Sequence, residues 1–367
     1  MENGKKIIRL IVSRYSPIWV FGSFRGECFF HNSKALFLFC QKIKKPLFPV
    51  WITKNRELIL EIRSYGFLCY HKESFLGKFF CLFAKYHISD WGIEDINKKY
   101  FIFSKHVNLW HGVALKANGL DVKTKYQTSI KSFGKPDIVL SCSSYDAHNL
   151  IAAFNLKKDS VKITGLPRND YILGNIQKTT RDSIFYNKIK SKKENYKKAI
   201  LYLPTFDDSQ SLDNFSWISN DFNNFLYENN IVFFYKKHPA DNSSDIKNKN
   251  FYNIKEISDL DVDLYPVLNL FDVLVTDYSS IFFDFVLTQK RIIIFLVGKD
   301  NFSAKVRNMY FDITDPKNAP GDICYNVSDL KKSILSGKNK SELILKKYHK
   351  YNDNFCQRVF DLINNLK

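Results

Sequence analysis

The run Val273-Leu-Val-Thr276 is apolar on consecutive residues, stops at Asp277-Tyr278, and is followed by Ser279-Ser280 at the start of a helical stretch. A strand with one wet face alternates apolar and polar residues; one covered on both faces does not. Unbroken apolarity therefore specifies a parallel strand with helices on either side. Similar β-type runs ending in a small or polar turn occur at 18–22, 49–53, 107–112, 137–141, 200–205, 231–236 and 292–295. Strands alternating with helices over most of a chain define an α/β architecture with parallel sheets. At 367 residues there is material for two such domains. Gly165-Leu-Pro167 is a turn signal, and a polar, Lys-rich stretch without strand character extends from it to Ala199. The expected division is 1–168 and 169–367. The second part should end in one or two helices carrying Leu343, Leu345, Tyr348, Phe355, Val359 and Leu362.

Charge and cysteine usage narrow the class. With 55 Lys and Arg against 37 Asp and Glu, the formal net charge is +18, which attracts anionic partners. No apolar run approaches the roughly 18–20 residues that a spanning helix needs. The early basic residues (Lys5, Lys6, Arg9, Arg14) precede no cleavage site, so no signal peptide is expected. Seven cysteines without a C-x-x-C pair read as reduced and intracellular. There is no P-loop, no G-x-G-x-x-G, no H-E-x-x-H and no D-x-D of the metal-dependent sugar transferases. Neither a metal nor a cofactor is expected. A nucleic-acid-binding protein would account for the charge, but the sequence lacks an RNP aromatic motif, a helix-turn-helix and a zinc module. No specific nucleic acid is expected as a partner.

In parallel-sheet domains, ligands bind outside the carboxyl ends of strands, and the polar clusters of this chain fall at such ends. Thr276, Asp277, Ser279 and Ser280 follow one strand. There the hydroxyls and the unbonded amides of a helix start can hold a phosphate, although Ser279 taken alone reads first as an N-cap. Lys236 and His238 follow a second strand, closed by Pro239, and suit a diphosphate whose charge grows as a bond breaks. His111, in Asn108-Leu-Trp-His-Gly112, ends a third. An imidazole with a reference pKa near 6.5 can take a hydroxyl proton, or can simply be a histidine satisfied beneath Trp110. Arg168 reads as a phosphate contact or a surface ion-pair residue, and Thr205 as a donor or a cap.

Taken in order, these segments resemble the CDP-glycerol glycerophosphotransferase family, the primases and polymerases of teichoic acids and related capsule polymers. The matching stretches are Leu109-Trp-His-Gly112 with Leu115-Lys116 and Gly119-x-Asp121; Thr164-Gly-Leu-Pro-Arg-Asn-Asp170; Tyr202-Leu-Pro-Thr-Phe206; Lys236-x-His-Pro239; Thr276-Asp-Tyr-Ser-Ser280 with Asp284; and Arg307 with Tyr310-Phe-Asp312 and Pro320-Gly321. Val113-Ala114, Asp207-Asp208 and His31-Asn32 depart from the family pattern, which leaves CDP-ribitol or another alditol-phosphate donor open beside CDP-glycerol. The resemblance implies a GT-B-like pair of Rossmann-type domains facing a cleft, and metal-independent transfer of glycerol phosphate to a hydroxyl with release of CMP. A GT-B nucleotide-sugar glycosyltransferase is the alternative.

By motif, the resemblance makes His111 the general base and has His238 and Lys236 stabilise the donor diphosphate. Thr276, Ser279 and Ser280 would hold phosphate oxygens, and Lys116, Arg168, Thr205, Asp277 and Arg307 complete the substrate-binding set. It implies a lipid-linked saccharide or polymer acceptor on the cytoplasmic leaflet. Within residues 1–45, nine Lys or Arg (Lys34 among them) stand against Glu2 and Glu27. The first domain is therefore expected to attach peripherally to an anionic membrane surface, at about 1 kcal/mol per basic residue near it.

Overall fold

The computed structural model of the chain describes residues 16–44, 46–101, 104–122, 129–205, 215, 217–236, 251–257, 262–297 and 309–366. His238, Arg307, Asp207 and Asp208 lie outside these residues, as do the basic positions before Ser16. The architecture is α/β, as expected, with two parallel sheets.

The first sheet contains β1 (Ile18–Phe21), β2 (Phe48–Thr53), β3 (Leu68–His71), β4 (Tyr86–Ser89), β5 (Lys105–Asn108), β6 (Ile138–Ser141) and β7 (Val161–Ile163), in the order β3-β2-β1-β4-β5-β6-β7. The second contains β8 (Lys198–Leu203), β9 (Ile231–Tyr235), β10 (Ile254–Glu256), β11 (Val273–Thr276), β12 (Arg291–Phe295) and β13 (Asp322–Cys324), in the order β10-β9-β8-β11-β12-β13. Every strand pair is parallel. In each sheet the chain builds outward in one direction, returns beside its first strand, and builds the other way. The reversal lies between β1 and β4 in the first sheet and between β8 and β11 in the second. Loops diverge at such a point and leave a crevice at the carboxyl ends.

Burial accounts for the unbroken apolar runs: β9 and β11 are buried at every residue. The second core gathers Tyr202, Phe222, Phe233, Tyr235, Val275 and Phe295 from both strands and helices. Beside the first sheet, Val139, Leu150, Phe154 and Val161 pack with Trp110 and Phe133.

The chain divides into two compact units, 1–113 with 118–180 and 348–367, and 114–117 with 181–347. The boundary falls after residue 180 rather than 168, and the units differ from the expected split in two further places. The last helix, Phe355–Asn364, packs in the first unit, with Phe360 against Trp19 and Phe39 at ring distances of 5.5 and 5.9 Å. Its first turn is capped from afar. The Asp170 carboxylate accepts the Phe355 and Cys356 N–H groups at 3.3 and 2.7 Å. Gly165, at φ +72°, leaves no room for a Cβ beside the Phe355 ring, so the turn signal there is a seat for the terminal helix. The second difference is the segment of Lys116, which forms an antiparallel bridge with Met309 within the second unit. Among the described residues no helix is long and apolar enough to cross a membrane.

Candidate active site

At the reversal point of the first sheet, β1 runs out through Gly22-Ser23 and β4 through Asp90-Trp91. A Cβ on Gly22 would stand 2.3 Å from the Asp95 carbonyl oxygen, so only glycine permits the two loops to approach. The Asp90 carboxylate is buried and accepts the Ser23 hydroxyl at 2.6 Å, and the Ser33 N–H and hydroxyl at 2.9 and 3.0 Å. Burial holds its pKa well above the ordinary carboxylate value, and the nearby Asp95 charge pushes the same way against these bonds. Asp95 collects four backbone N–H groups: Arg25 at 2.7 Å on one oxygen, and Asp90, Trp91 and Gly92 at 3.0, 2.7 and 3.4 Å on the other. Burial outweighs those bonds and pushes it up to about 6.

His111 follows β5, which ends at Asn108, three residues before the histidine expected at the strand end. The chain leaves the sheet because Trp110 adopts φ +60° and Gly112 φ +138°. A non-glycine residue in the left-handed region needs its surroundings to hold it there. Here the Trp110 N–H donates to Asn108 Oδ1 at 2.9 Å and its carbonyl accepts Asn32 Nδ2 at 2.7 Å. Asn32 reaches further: its Oδ1 accepts the Arg168 N–H at 3.1 Å. One buried amide thus joins the His111 loop to the Gly-Leu-Pro-Arg segment. Arg168 itself is 3% exposed, so it is no surface ion-pair residue.

The half-buried His111 imidazole meets two indoles. Trp91 stacks on it at 4.1 Å with 4° between planes, and Trp110 lies at 4.0 Å, tilted by 43°. His87 and His106 are of another kind, buried within the sheet region. His106 Nε2 meets Ser89 Oγ at 2.9 Å and His87 Nε2 meets the Cys81 carbonyl at 2.9 Å. Burial lowers them to about 3 and about 4, so both are neutral near pH 7.

In the second sheet, Thr205 follows β8, Lys236 follows β9 and Asp277 follows β11. The Asp277 Oδ1 accepts the Thr205 N–H and hydroxyl, and the Lys236 N–H donates to the Tyr202 carbonyl at 3.2 Å. Two sequence expectations change here. Thr276 is fully buried and its hydroxyl donates to the Leu203 carbonyl at 2.7 Å, so it ties β11 to β8 and presents nothing to a phosphate. The N-cap position of the following helix (Ile281–Phe285) belongs to Ser280 rather than Ser279, and its side chain makes no capping bond. That helix has five residues, too few for a sizeable dipole; the Ser279 and Ser280 hydroxyls before it are half-buried, and Ser279 Oγ accepts the Ile281 N–H at 3.5 Å. Asp284 is buried and accepts the Tyr265 hydroxyl at 2.9 Å.

The sequence reading did not single out Ser23, Asp90, Trp91 or Asp95, because β4 is a short strand of mixed polarity and its loop reads as an ordinary polar turn. Asn32 was noted only as a departure from a motif.

Residues 7–359 match the family described as CDP-glycerol:poly(glycerophosphate) glycerophosphotransferase. The chain is 26% identical over 332 residues to a teichoic acid glycerol-phosphate transferase of Staphylococcus aureus (strain NCTC 8325 / PS 47), covering 84% of this chain and 81% of that protein. It is 30% identical over 279 residues to the teichoic acid glycerol-phosphate primase of Bacillus subtilis (strain 168), covering 72% and 68%. Among solved structures, the wall teichoic acid polymerase TagF matches at a TM-score of 0.76 and 20% identity, over 98% of this chain and 92% of that one, which is a likeness of fold. With the family match spanning nearly its whole length, the chain belongs to the CDP-glycerol:poly(glycerophosphate) glycerophosphotransferases and is a transferase of that kind.

Proposed function

We propose that the protein transfers glycerol phosphate from CDP-glycerol to a hydroxyl of a lipid-linked cell-surface polymer or primer. The acceptor oxygen attacks the phosphorus bearing glycerol, a phosphodiester forms, the bridging P–O bond breaks, and CMP leaves. His111 takes the acceptor proton. Lys236 and His238, with Ser279, Ser280 and Arg307, balance the charge on the diphosphate and the departing CMP. Thr205 and Asp277 shape the turn that faces the donor, while Lys116 and Arg168 act in substrate binding.

The observation that carries this reading is the seating of His111 at the carboxyl edge of the first sheet, its ring stacked on the Trp91 indole and touching that of Trp110. The ring nitrogens lie in the ring plane, so face contacts restrain the imidazole without using the atoms that move a proton. An indole face also attracts the imidazolium that forms on proton uptake. The test is incubation of the full chain with CDP-glycerol, and in parallel CDP-ribitol, plus a lipid-linked disaccharide. Release of CMP with an acceptor heavier by one glycerol phosphate supports the reading. Nucleoside diphosphate release without a phosphodiester product would overturn it in favour of a glycosyltransferase.

A lipid-linked acceptor calls for attachment to a membrane surface, and we place it on the helix Phe75–Phe83. Phe75 is 83% exposed and Leu76, Phe79 and Phe83 are 46%, 42% and 40% exposed, with Lys72, Lys78 and Lys85 near in sequence. Exposed phenylalanines beside lysines match an anionic bilayer, with rings among the acyl chains and ammonium groups at the phosphates. Lys34, counted in the expected basic surface, is 3% exposed, with its Nζ 5.4 Å from the Phe29 ring centre, and cannot take part.

A further inference from the structure

We propose that Trp91, held by Asp95, is a positioning residue that sets the plane of the His111 imidazole. The proposal rests on the reading of His111 as the base.

Trp91 is 42% exposed, an unusual place for the largest side chain unless it serves a contact of its own. Its indole meets two rings. One is His111, face to face at 4.1 Å; the other is Phe24, edge-on at 5.6 Å and 80°. The backbone beneath the indole is fixed with equal care. Asp95 Oδ2 gathers the N–H groups of Asp90, Trp91 and Gly92, and Asp95 Oδ1 reaches across to the Arg25 N–H. That last bond matters because Phe24 and Arg25 stand at φ +45° and +55°, a left-handed turn that needs holding in place. One buried carboxylate therefore fixes the loop that carries Trp91 and the loop that carries Phe24, and the two aromatics close on each other.

The consequence for His111 is geometric. Its own loop is anchored through Trp110 and Asn32, bonds that fix the backbone, and the imidazole itself meets two indoles. Trp110 is tilted by 43° to the imidazole and limits it loosely, whereas Trp91 is within 4° of parallel and defines its plane. Proton transfer requires a nitrogen aimed at the acceptor oxygen, and misplacement by about 1 Å can cost about 10²-fold in rate.

The experiment compares full-length wild type with Trp91→Ala, Trp91→Phe and His111→Ala. The readouts are steady-state kinetics with CDP-glycerol and the ring-proton NMR shifts of isotopically labelled histidine. The His111 signal, assigned by its loss in His111→Ala, should lie upfield in wild type from the ring current of Trp91. In Trp91→Ala it should move downfield. In the same variant kcat should fall about 10- to 100-fold while KM for CDP-glycerol stays within about twofold. Trp91→Phe keeps a stacking face and should restore most of the loss, a pattern that general destabilisation would not give. An unmoved His111 signal in Trp91→Ala, or a kcat within twofold of wild type, overturns the proposal. If His111→Ala itself keeps wild-type turnover, the assignment of the base is what fails, and the NMR shift still reports whether Trp91 orients the ring.

Discussion

Asp277 accepts both the backbone N–H and the side-chain hydroxyl of Thr205 through a single carboxylate oxygen, at 2.8 and 2.5 Å. β8 and β11 lie side by side with Leu203 opposite Thr276, so this contact joins the two chain ends as they leave the sheet. The Asp277 side chain is buried, and removing it leaves the Thr205 amide without its acceptor. Such a loss costs about 1–3 kcal/mol. Asp277→Ala should lower the urea midpoint and raise KM for CDP-glycerol, whereas Thr205→Ser should change both much less. Unchanged donor KM in Asp277→Ala would place this pair outside the donor site.

The two sheets should respond to mutation in different kinetic parameters. His111→Ala removes the proposed base and should reduce turnover by about 10²–10⁴-fold while CDP-glycerol still binds. The double variant Ser279→Ala with Ser280→Ala removes two half-buried hydroxyls and should weaken donor binding instead. Calorimetric titration of CDP-glycerol into each variant separates the effects. Equal loss of affinity in both would contradict the division of labour.

The buried centre of the second sheet was legible in the sequence, because β9 and β11 are short apolar runs, rich in β-branched or aromatic residues and bounded by turn residues. The β3, β4, β7, β10 and β13 strands were not. Each has only three or four residues, and lysine, histidine or aspartate stands among them, as in Tyr86-His-Ile-Ser89 and Val161-Lys-Ile163. Neighbouring strands, rather than periodicity, decide such segments. The same limit hid half of the site. His111 stood out as a rare residue type at a strand end, but Asp95 acts through four backbone N–H groups, a role that leaves no spacing signature. Thr276 misled for the opposite reason: a hydroxyl at the end of a strand looks available until its carbonyl partner across the sheet is known.

Attachment to a membrane should depend on rings as well as charge. Phe75 and Phe79 are exposed and outside the buried cores, so replacing both with Ser should leave the thermal midpoint within a degree or two. Each exposed phenylalanine that enters the acyl region contributes on the order of 1–3 kcal/mol. The double variant should lose flotation with phosphatidylglycerol vesicles while keeping turnover on a soluble acceptor analogue. Wild type floating equally with anionic and neutral vesicles would remove charge from the account, and a variant that floats as well as wild type would remove the helix.

Acid tolerance of the first unit should turn on a balance between buried histidines and buried carboxylates. His87 and His106, lowered from 6.5 to about 4 and about 3, stay neutral when folded while the unfolded chain takes up their protons. Their stabilisation is present above about pH 6.5 and is lost as pH falls towards the folded values. Asp95 works in the reverse sense. Raised from 3.8 to about 6 by burial, it holds a proton in the folded state that the unfolded chain releases. Its contribution is present below about pH 3.8 and is lost as pH rises through 6; Asp90, raised by burial as well, shares that sign. Between about pH 4 and 6 the two pairs oppose each other. Asp95→Asn removes one proton from the carboxylate side, worth about 1.4 kcal/mol per pH unit. Wild type should therefore gain stability relative to this variant as pH is lowered from about 6 to 4.5. Urea unfolding at three pH values across that window measures the gap, and a gap that stays constant would mean that Asp95 ionises in the folded protein as it does in the unfolded chain.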